Sequence, residues 1–200
     1  MIKTFIFDLG KVIVPFELDN QMKILEAVGD LKGAEIKETI FAVEELMLFE
    51  TGKISAESLF EALKKTLRLR MNFDEFAAAW NSIFSMEPIV SENLIERLSK
   101  KYRLIILSDT NPLHFEFIKR NFPILRFFDD FVLSYEIGSL KPSTEIFRAA
   151  VEKAECAAGE CFFTDDKETN VAGAIEFGIN ALQFISAEQF EREIKNRNLI

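Results

Sequence analysis

Cysteine is scarce in this sequence, Cys156 and Cys161 being the only two in 200 residues, and His114 is the single histidine. Two thiols with no His or second Cys pair nearby exclude a disulfide framework and a Cys/His zinc site, so reduced structural thiols are expected. Long apolar runs are missing as well. No stretch free of Asp, Glu, Lys and Arg exceeds 11 residues (76–86 and 177–187), whereas a membrane helix needs roughly 20 apolar residues. No membrane span is therefore expected. The chain reaches Asp8 almost at once, which leaves no apolar core for a secretory leader, and a cytoplasmic protein is expected. Positive charge is in deficit, with 24 Lys and Arg against 33 Asp and Glu for a net −9. Nucleic-acid binders usually present a basic face, so nucleic acid is not expected as a partner. An anionic small substrate would meet a repulsive overall field and would need local positive charge from a lysine, a helix N-terminus or a metal. Only five Pro and eight Gly interrupt a chain that is 48% apolar, which excludes disorder and low complexity.

What is present alternates. Short runs rich in Ile, Phe and Val are separated by helical patterns, the signature of a parallel sheet covered by helices. Strands are predicted near Thr4–Phe7, Arg103–Leu107, Phe131–Ser134, Cys161–Thr164 and Ala181–Ile185, and helices near Pro112–Asn121, Pro142–Ala154, Thr169–Phe177 and Ala187–Asn196. Pro112 and Pro142 suit the first helical position, where a missing N–H costs nothing. The fold class is α/β: a Rossmann-like, doubly wound parallel sheet of about five strands in the order 5-4-1-2-3. One interval breaks the rhythm, because residues 16–86 contain no convincing strand. Ile36, Ile40, Val43 and Met47 are placed on one helical face, Leu59, Leu63 and Leu67 on a second, and Phe73, Phe76, Trp80 and Phe84 on a third. Asn72 with Glu75 three residues on resembles a helix-start box. About 70 residues are too many for a loop, so 16–86 is expected to be a helical cap inserted into a core made of 1–15 and 87–200.

In open α/β sheets ligands bind beyond the carboxyl ends of the strands, near the point where strand order reverses. The residues at those ends are Asp8, then Ser108-Asp109-Thr110, Lys141 a little past the third strand, and Asp165-Asp166. Three carboxylates converging there could not all stay ionised without a cation, and oxygen donors suit Mg²⁺ rather than zinc. Lys141 adds positive charge, and Ser108 with the N–H groups of the following turn could hold an anion. Metal, lysine, hydroxyl and a carboxylate nucleophile together describe phosphoryl transfer.

Phe5-Ile-Phe-Asp-Leu-Gly-Lys-Val-Ile-Val14, Leu107-Ser-Asp-Thr-Asn111, Gly138-Ser-Leu-Lys-Pro142 and Phe162-Phe-Thr-Asp-Asp166 with Asn170 resemble the four ordered motifs of the haloacid dehalogenase-like (HAD) hydrolase superfamily. The insert resembles that superfamily's type 1 cap, and the first two motifs are most similar to its bacterial sugar-phosphate phosphatases, such as the α-D-glucose-1-phosphate phosphatases. The resemblance implies that Asp8 attacks phosphorus to form an aspartyl-phosphate that water then hydrolyses. It implies Mg²⁺ held by Asp8, the Gly10 carbonyl and Asp166, with Asp165 in the same set or orienting Lys141. It implies phosphoryl oxygens bound by Ser108 and Lys141 beside Asp109, and a small phosphorylated metabolite as substrate. The segment Glu50-Thr-Gly-Lys-Ile-Ser55 resembles the cap's specificity loop, with Gly52 allowing a tight turn toward the core. Asn170 is taken as a cap of its own helix, and His114 as a packing residue. The oligomeric state is left open.

Gly10 departs from the pattern. Most phosphatases of the superfamily carry a second Asp there, which protonates the departing alcohol and later activates water. General acid catalysis is commonly worth roughly 10²- to 10⁴-fold. Either the leaving group is intrinsically good, as in a sugar 1-phosphate, or a cap residue or water supplies the proton; the missing carboxylate favours the first. Two other functions stay open at this point: a metal-free dehalogenase in which Asp8 attacks carbon, and a non-catalytic protein that binds a phosphorylated ligand or a protein partner.

Overall fold

A computed structural model describes residues 1–200. Five strands, β1 (Thr4–Phe7), β2 (Arg103–Ser108), β3 (Asp130–Leu133), β4 (Cys161–Asp165) and β5 (Asn180–Gln183), form one sheet in the order β3-β2-β1-β4-β5. Every neighbouring pair is parallel. This is the expected order written from the other edge. Between β1 and β2 lie α1 (Asp19–Val28), α2 (Gly33–Ala42), α3 (Glu44–Glu50), α4 (Ala56–Leu67), α5 (Phe73–Asn81) and α6 (Glu92–Ser99). Then come α7 (Pro112–Asn121), α8 (Ser134–Ile137), α9 (Thr144–Ala154), α10 (Glu168–Phe177) and α11 (Ala187–Asn196). No helix is long and apolar enough to cross a membrane.

Alternation along β1 decides which helices cover which face, because successive side chains point to opposite sides of a strand. Phe5 and Phe7 join Leu94 and Ile95 of α6, Phe115 of α7 and Phe190 of α11. Ile6 faces the other way, into Ile146, Phe147 and Ala150 of α9 and Ala174 of α10. With both faces covered, all four residues of β1 are buried, as a central parallel strand requires.

Helices α1–α5 enclose a hydrophobic cluster of their own, built on Leu25, Ile36, Ile40, Leu59, Leu63 and Phe76. Two extended segments join them to the sheet side by side. Ser85 N–H donates to the Pro15 carbonyl at 3.1 Å and Glu17 N–H to the Ile83 carbonyl at 2.8 Å, with Phe16 bridged to Phe84. The helix-start box forms as expected: Asn72 Oδ1 accepts from Glu75 N–H and Glu75 Oε2 accepts from Asn72 N–H.

Four local expectations fail for identifiable reasons. Val43 is extended (ψ 131°) and separates α2 from α3, which resets the helical phase, so Ile36 and Ile40 are buried while Met47 is 51% exposed. Phe84 lies past the end of α5, in the segment paired to Phe16. Helix α9 starts at Thr144 behind an extended Ser143, so Pro142 precedes it instead of opening it. The last strand ends at Gln183: Phe184 N–H makes the final ladder bond, to the Asp165 carbonyl, and Ile185 beyond it is 74% exposed.

Candidate active site

The register of the three central strands assembles the site. Phe7, the last residue of β1, pairs with Ile106 and Thr164, so Asp8 emerges between the ends of β2 and β4. Ser108 and Asp165 are the last residues of those strands. Carboxylate oxygens of Asp8, Asp165 and Asp166 lie within 4.8 Å of one another. Residues separated by more than 150 positions thus meet at one sheet edge.

Lys141 arrives from the loop between α8 and α9, tethered by its own N–H to Asp109 Oδ1 at 2.9 Å. Its Nζ donates to Asp8 Oδ1 at 2.6 Å, Asp165 Oδ2 at 2.7 Å and the Leu107 carbonyl at 3.1 Å. All three ammonium protons are engaged, with the side chain 2% exposed. Burial alone would lower the Lys141 pKa, but Asp8, Asp165 and Asp109 outweigh it and hold the group above the ordinary lysine range. Asp8 responds oppositely: burial pushes its carboxyl up to about 7, against the pull of Lys141 and aided by the charge of Asp165. Asp165 is wholly buried, and both its oxygens accept hydrogen bonds, from Lys141, from Asn170 Nδ2 (3.0 and 3.1 Å) and from Lys167 N–H (2.8 Å). Asn170 therefore orients Asp165 from within α10 and does not cap that helix, whose N-cap residue is Lys167.

After β1 the chain turns sharply through Lys11, at φ 58°. The Gly10 carbonyl accepts no hydrogen bond from the protein. A Cβ at Gly10 would lie 2.9 Å from Cε1 of Phe16, so the aromatic ring occupies the space a side chain there would need. After β2, Ser108 is 3% exposed with only a long contact (3.5 Å) to the Asp109 carbonyl. The Thr110 N–H donates to Ser134 Oγ at 2.9 Å, which removes it from the anion cradle expected of that turn.

Above the strand ends a cavity of about 440 Å³ opens between the sheet and the insert. Its floor includes Gly10, Ser108, Asp109 and Lys141, and its walls include Met22, Ile40, Trp80 and Phe84. Few polar side chains face it from the far side. Gln21 is 3% exposed, and its side chain makes no hydrogen bond within the protein. Glu50, at the end of α3, also lines the cavity without a hydrogen-bonding or ionic partner; burial first, then Asp109, push its carboxyl up to about 7 against the pull of Lys167. The turn after Glu50 is seated on the core. Gly52 has φ +67°, and a Cβ there would come within 2.0 Å of the Tyr135 carbonyl oxygen. His114 ties the two parts together: Asn111 Nδ2 donates to its Nδ1 at 3.1 Å, and its Nε2–H donates to the Trp80 carbonyl at 3.0 Å.

Of the residues singled out from sequence, Asp8, Gly10, Ser108, Asp109, Lys141, Asp165 and Asp166 gather at this edge. Sequence reasoning kept Asn170 out of the chemistry as a helix cap, took His114 as a packing residue, which its contacts with Trp80 and Phe84 bear out, and did not single out Lys167. Glu50 stood in a segment already marked for its turn, but nothing in the linear order showed that its carboxyl faces the strand ends.

A family model described as haloacid dehalogenase-like hydrolase matches residues 2–178. D-ribitol-5-phosphate phosphatase of Bacteroides thetaiotaomicron is 28% identical over 203 residues, covering 97% of this chain and 97% of that protein. Glyceraldehyde 3-phosphate phosphatase of Methanothermobacter thermautotrophicus is 24% identical over 189 residues, covering 90% and 74%. The crystal structure of a HAD family enzyme from B. thetaiotaomicron in complex with magnesium and inorganic phosphate superposes with a TM-score of 0.83 at 27% identity, covering 93% of this chain and 96% of that one.

Proposed function

This chain belongs to the haloacid dehalogenase-like hydrolases, and we propose that it is a Mg²⁺-dependent phosphatase that cleaves a small sugar or polyol phosphate through a phosphorylated Asp8. The observation that carries this is the meeting of three carboxylates within 4.8 Å, with Lys141 bridging two of them, beneath a cavity of metabolite size. Support comes from relatives named as phosphatases of ribitol 5-phosphate and glyceraldehyde 3-phosphate, and from a related structure holding magnesium and phosphate.

The donor set fits Mg²⁺: Asp8, Asp166 and the unpartnered Gly10 carbonyl offer hard oxygens and no nitrogen or sulfur. Asp165 belongs to the same cluster, but its engaged oxygens give it the part of holding Lys141. Bound there, the ion would supply positive charge to the carboxylates and to the phosphoryl group. Asp8 attacks phosphorus, the bond to the leaving oxygen breaks, and water later cleaves the Asp8–phosphorus linkage. Lys141 passes from Asp8 Oδ1 to a phosphoryl oxygen as the substrate arrives, which frees the attacking atom, and Ser108 Oγ donates to a second oxygen. Residues 16–86 act as a cap on a core of 1–15 and 87–200, swinging on the paired segments at Pro15 and Ser85 and excluding water when closed.

Phosphate release from sugar 1-phosphates, sugar 6-phosphates, polyol phosphates and nucleotides, with and without Mg²⁺, tests the reading. Turnover of at least one sugar or polyol phosphate is expected with Mg²⁺, with a loss of at least about 10³-fold in Asp8→Asn. Release that survives a chelator, or that Asp8→Asn leaves intact, overturns it.

A further inference from the structure

Phosphoryl transfer to Asp8 leaves an alkoxide unless something protonates the departing oxygen, and position 10 has no side chain to do so. Nor could one be added at no cost, since the Phe16 ring stands 2.9 Å from where its Cβ would be. A side-chain proton donor, if the enzyme uses one, has to come from elsewhere on the cavity wall. Two carboxyl groups face that space, Asp109 and Glu50. Burial raises the Asp109 carboxyl as well, against the pull of Lys141, but its Oδ1 is committed to the Lys141 N–H and holds the loop bearing Lys141. Glu50 has no partner. It enters from α3, faces Asp109 and Lys167 near the ends of β2 and β4, and lines the cavity into which the leaving group departs if Asp8 attacks in line from the sheet.

We propose that Glu50 is the acid that protonates the departing alcohol and the base that then activates water, supplying from the insert what position 10 lacks. The proposal rests on the phosphatase reading above and names a catalytic residue for it. In the first half-reaction an Asp8 oxygen forms a bond to phosphorus. The bond from phosphorus to the ester oxygen breaks, its electron pair stays on that oxygen, and the Glu50 proton is transferred there, leaving an alcohol and a Glu50 carboxylate. In the second, a water oxygen attacks phosphorus while its proton passes to Glu50. The Asp8–phosphorus bond breaks with its electron pair returning to Asp8, and inorganic phosphate and a protonated Glu50 result.

The surroundings are suited to that work. Glu50 closes α3, and the turn beyond it is packed through Gly52 against the Tyr135 carbonyl, so the backbone that carries the carboxyl is held against the core. Burial and the facing charge of Asp109 outweigh the attraction of Lys167 and bring its pKa to about 7, where a carboxyl can both give and take a proton. With an acid present, an intrinsically good leaving group is no longer required. The expected restriction to sugar 1-phosphates lapses, and phosphates of primary alcohols come within reach.

The test is a leaving-group series of 4-nitrophenyl, phenyl and benzyl phosphate with wild type and Glu50→Gln in the presence of Mg²⁺, comparing kcat/KM, which reports the step that expels the leaving group. Benzyl alcohol needs a proton to leave and 4-nitrophenol does not. Glu50→Gln is expected to lower kcat/KM for benzyl phosphate by about 10²-fold or more, with phenyl phosphate intermediate and 4-nitrophenyl phosphate within about threefold of wild type. The basic limb near pH 7 in the wild-type benzyl phosphate profile is expected to vanish in the variant. Because the readout is a ratio between substrates on one preparation, it does not depend on the fraction folded. Equal loss on all three substrates, no loss on any, or a wild type active on 4-nitrophenyl phosphate alone overturns the role of Glu50. A wild type that hydrolyses none of the three sinks the phosphatase reading itself, an outcome distinct from the others.

Discussion

Lys141 is the residue on which the charge balance of the site turns. Its ammonium sits between two carboxylates at 2.6 and 2.7 Å in nearly complete burial, where removing one partner of an ion cluster costs far more than the cluster contributes. Lys141→Met is expected to lower folding stability by about 3–5 kcal/mol and phosphatase turnover by more than about 10³-fold, checked by urea denaturation and phosphate release. Legibility at this scale was uneven. Asp8 and Asp166 could be picked out because each lies at the end of a strand, where a charge needs a reason, and Lys141 through its Gly-Ser-Leu-Lys-Pro setting. Asn170 could not, since an Asn near a helix start usually caps it, and only the folded chain shows its amide on both oxygens of Asp165. Gly10 was legible as an absence, while the ring that fills its space was not.

Contacts between elements decide how the insert rides on the sheet. The His114 ring of α7 stacks on Trp80 at 5.6 Å, meets Phe84 edge-on at 5.0 Å and donates to the carbonyl of Trp80 in α5. Burial holds its pKa down at about 4, below the ordinary value near 6.5. A base whose folded pKa is depressed contributes stability that is present above the unfolded pKa and lost as pH falls through the folded one. Wild type is therefore expected to lose a component of stability, roughly 3 kcal/mol in full, between about pH 6.5 and pH 4 that His114→Gln lacks. Denaturation of both proteins across that range measures the difference. The helices that meet here were mostly evident from periodicity. Leu59, Leu63 and Leu67 are buried on one face of α4, as their spacing requires. Val43 misled because a β-branched residue in a periodic pattern does not announce that it will take an extended conformation.

For the molecule as a whole, the carboxylate cluster makes stability depend on a cation. Three acids within 4.8 Å gain more from Mg²⁺ in the folded state than in the dispersed chain. Saturating Mg²⁺ is expected to raise the melting temperature, by the equivalent of about 2.7 kcal/mol at a hundredfold excess over Kd, and Asp166→Asn is expected to abolish most of the rise in a thermal-shift titration. The sequence by itself determined the α/β class and the carboxylates that follow the strands, because apolar periodicity and the residue after each strand are local properties of the chain; the strand order came with the doubly wound class. The sequence also showed that residues 16–86 carry helical patterns without a strand, and that stretch is helical between β1 and the segment before α6. Only the tertiary structure decided which side chains share the cavity. Glu50 and Ser108 lie 58 positions apart, and Asn170 grips Asp165 from a helix that could have faced elsewhere; such juxtapositions are set by how elements pack, for which no spacing rule within the chain exists.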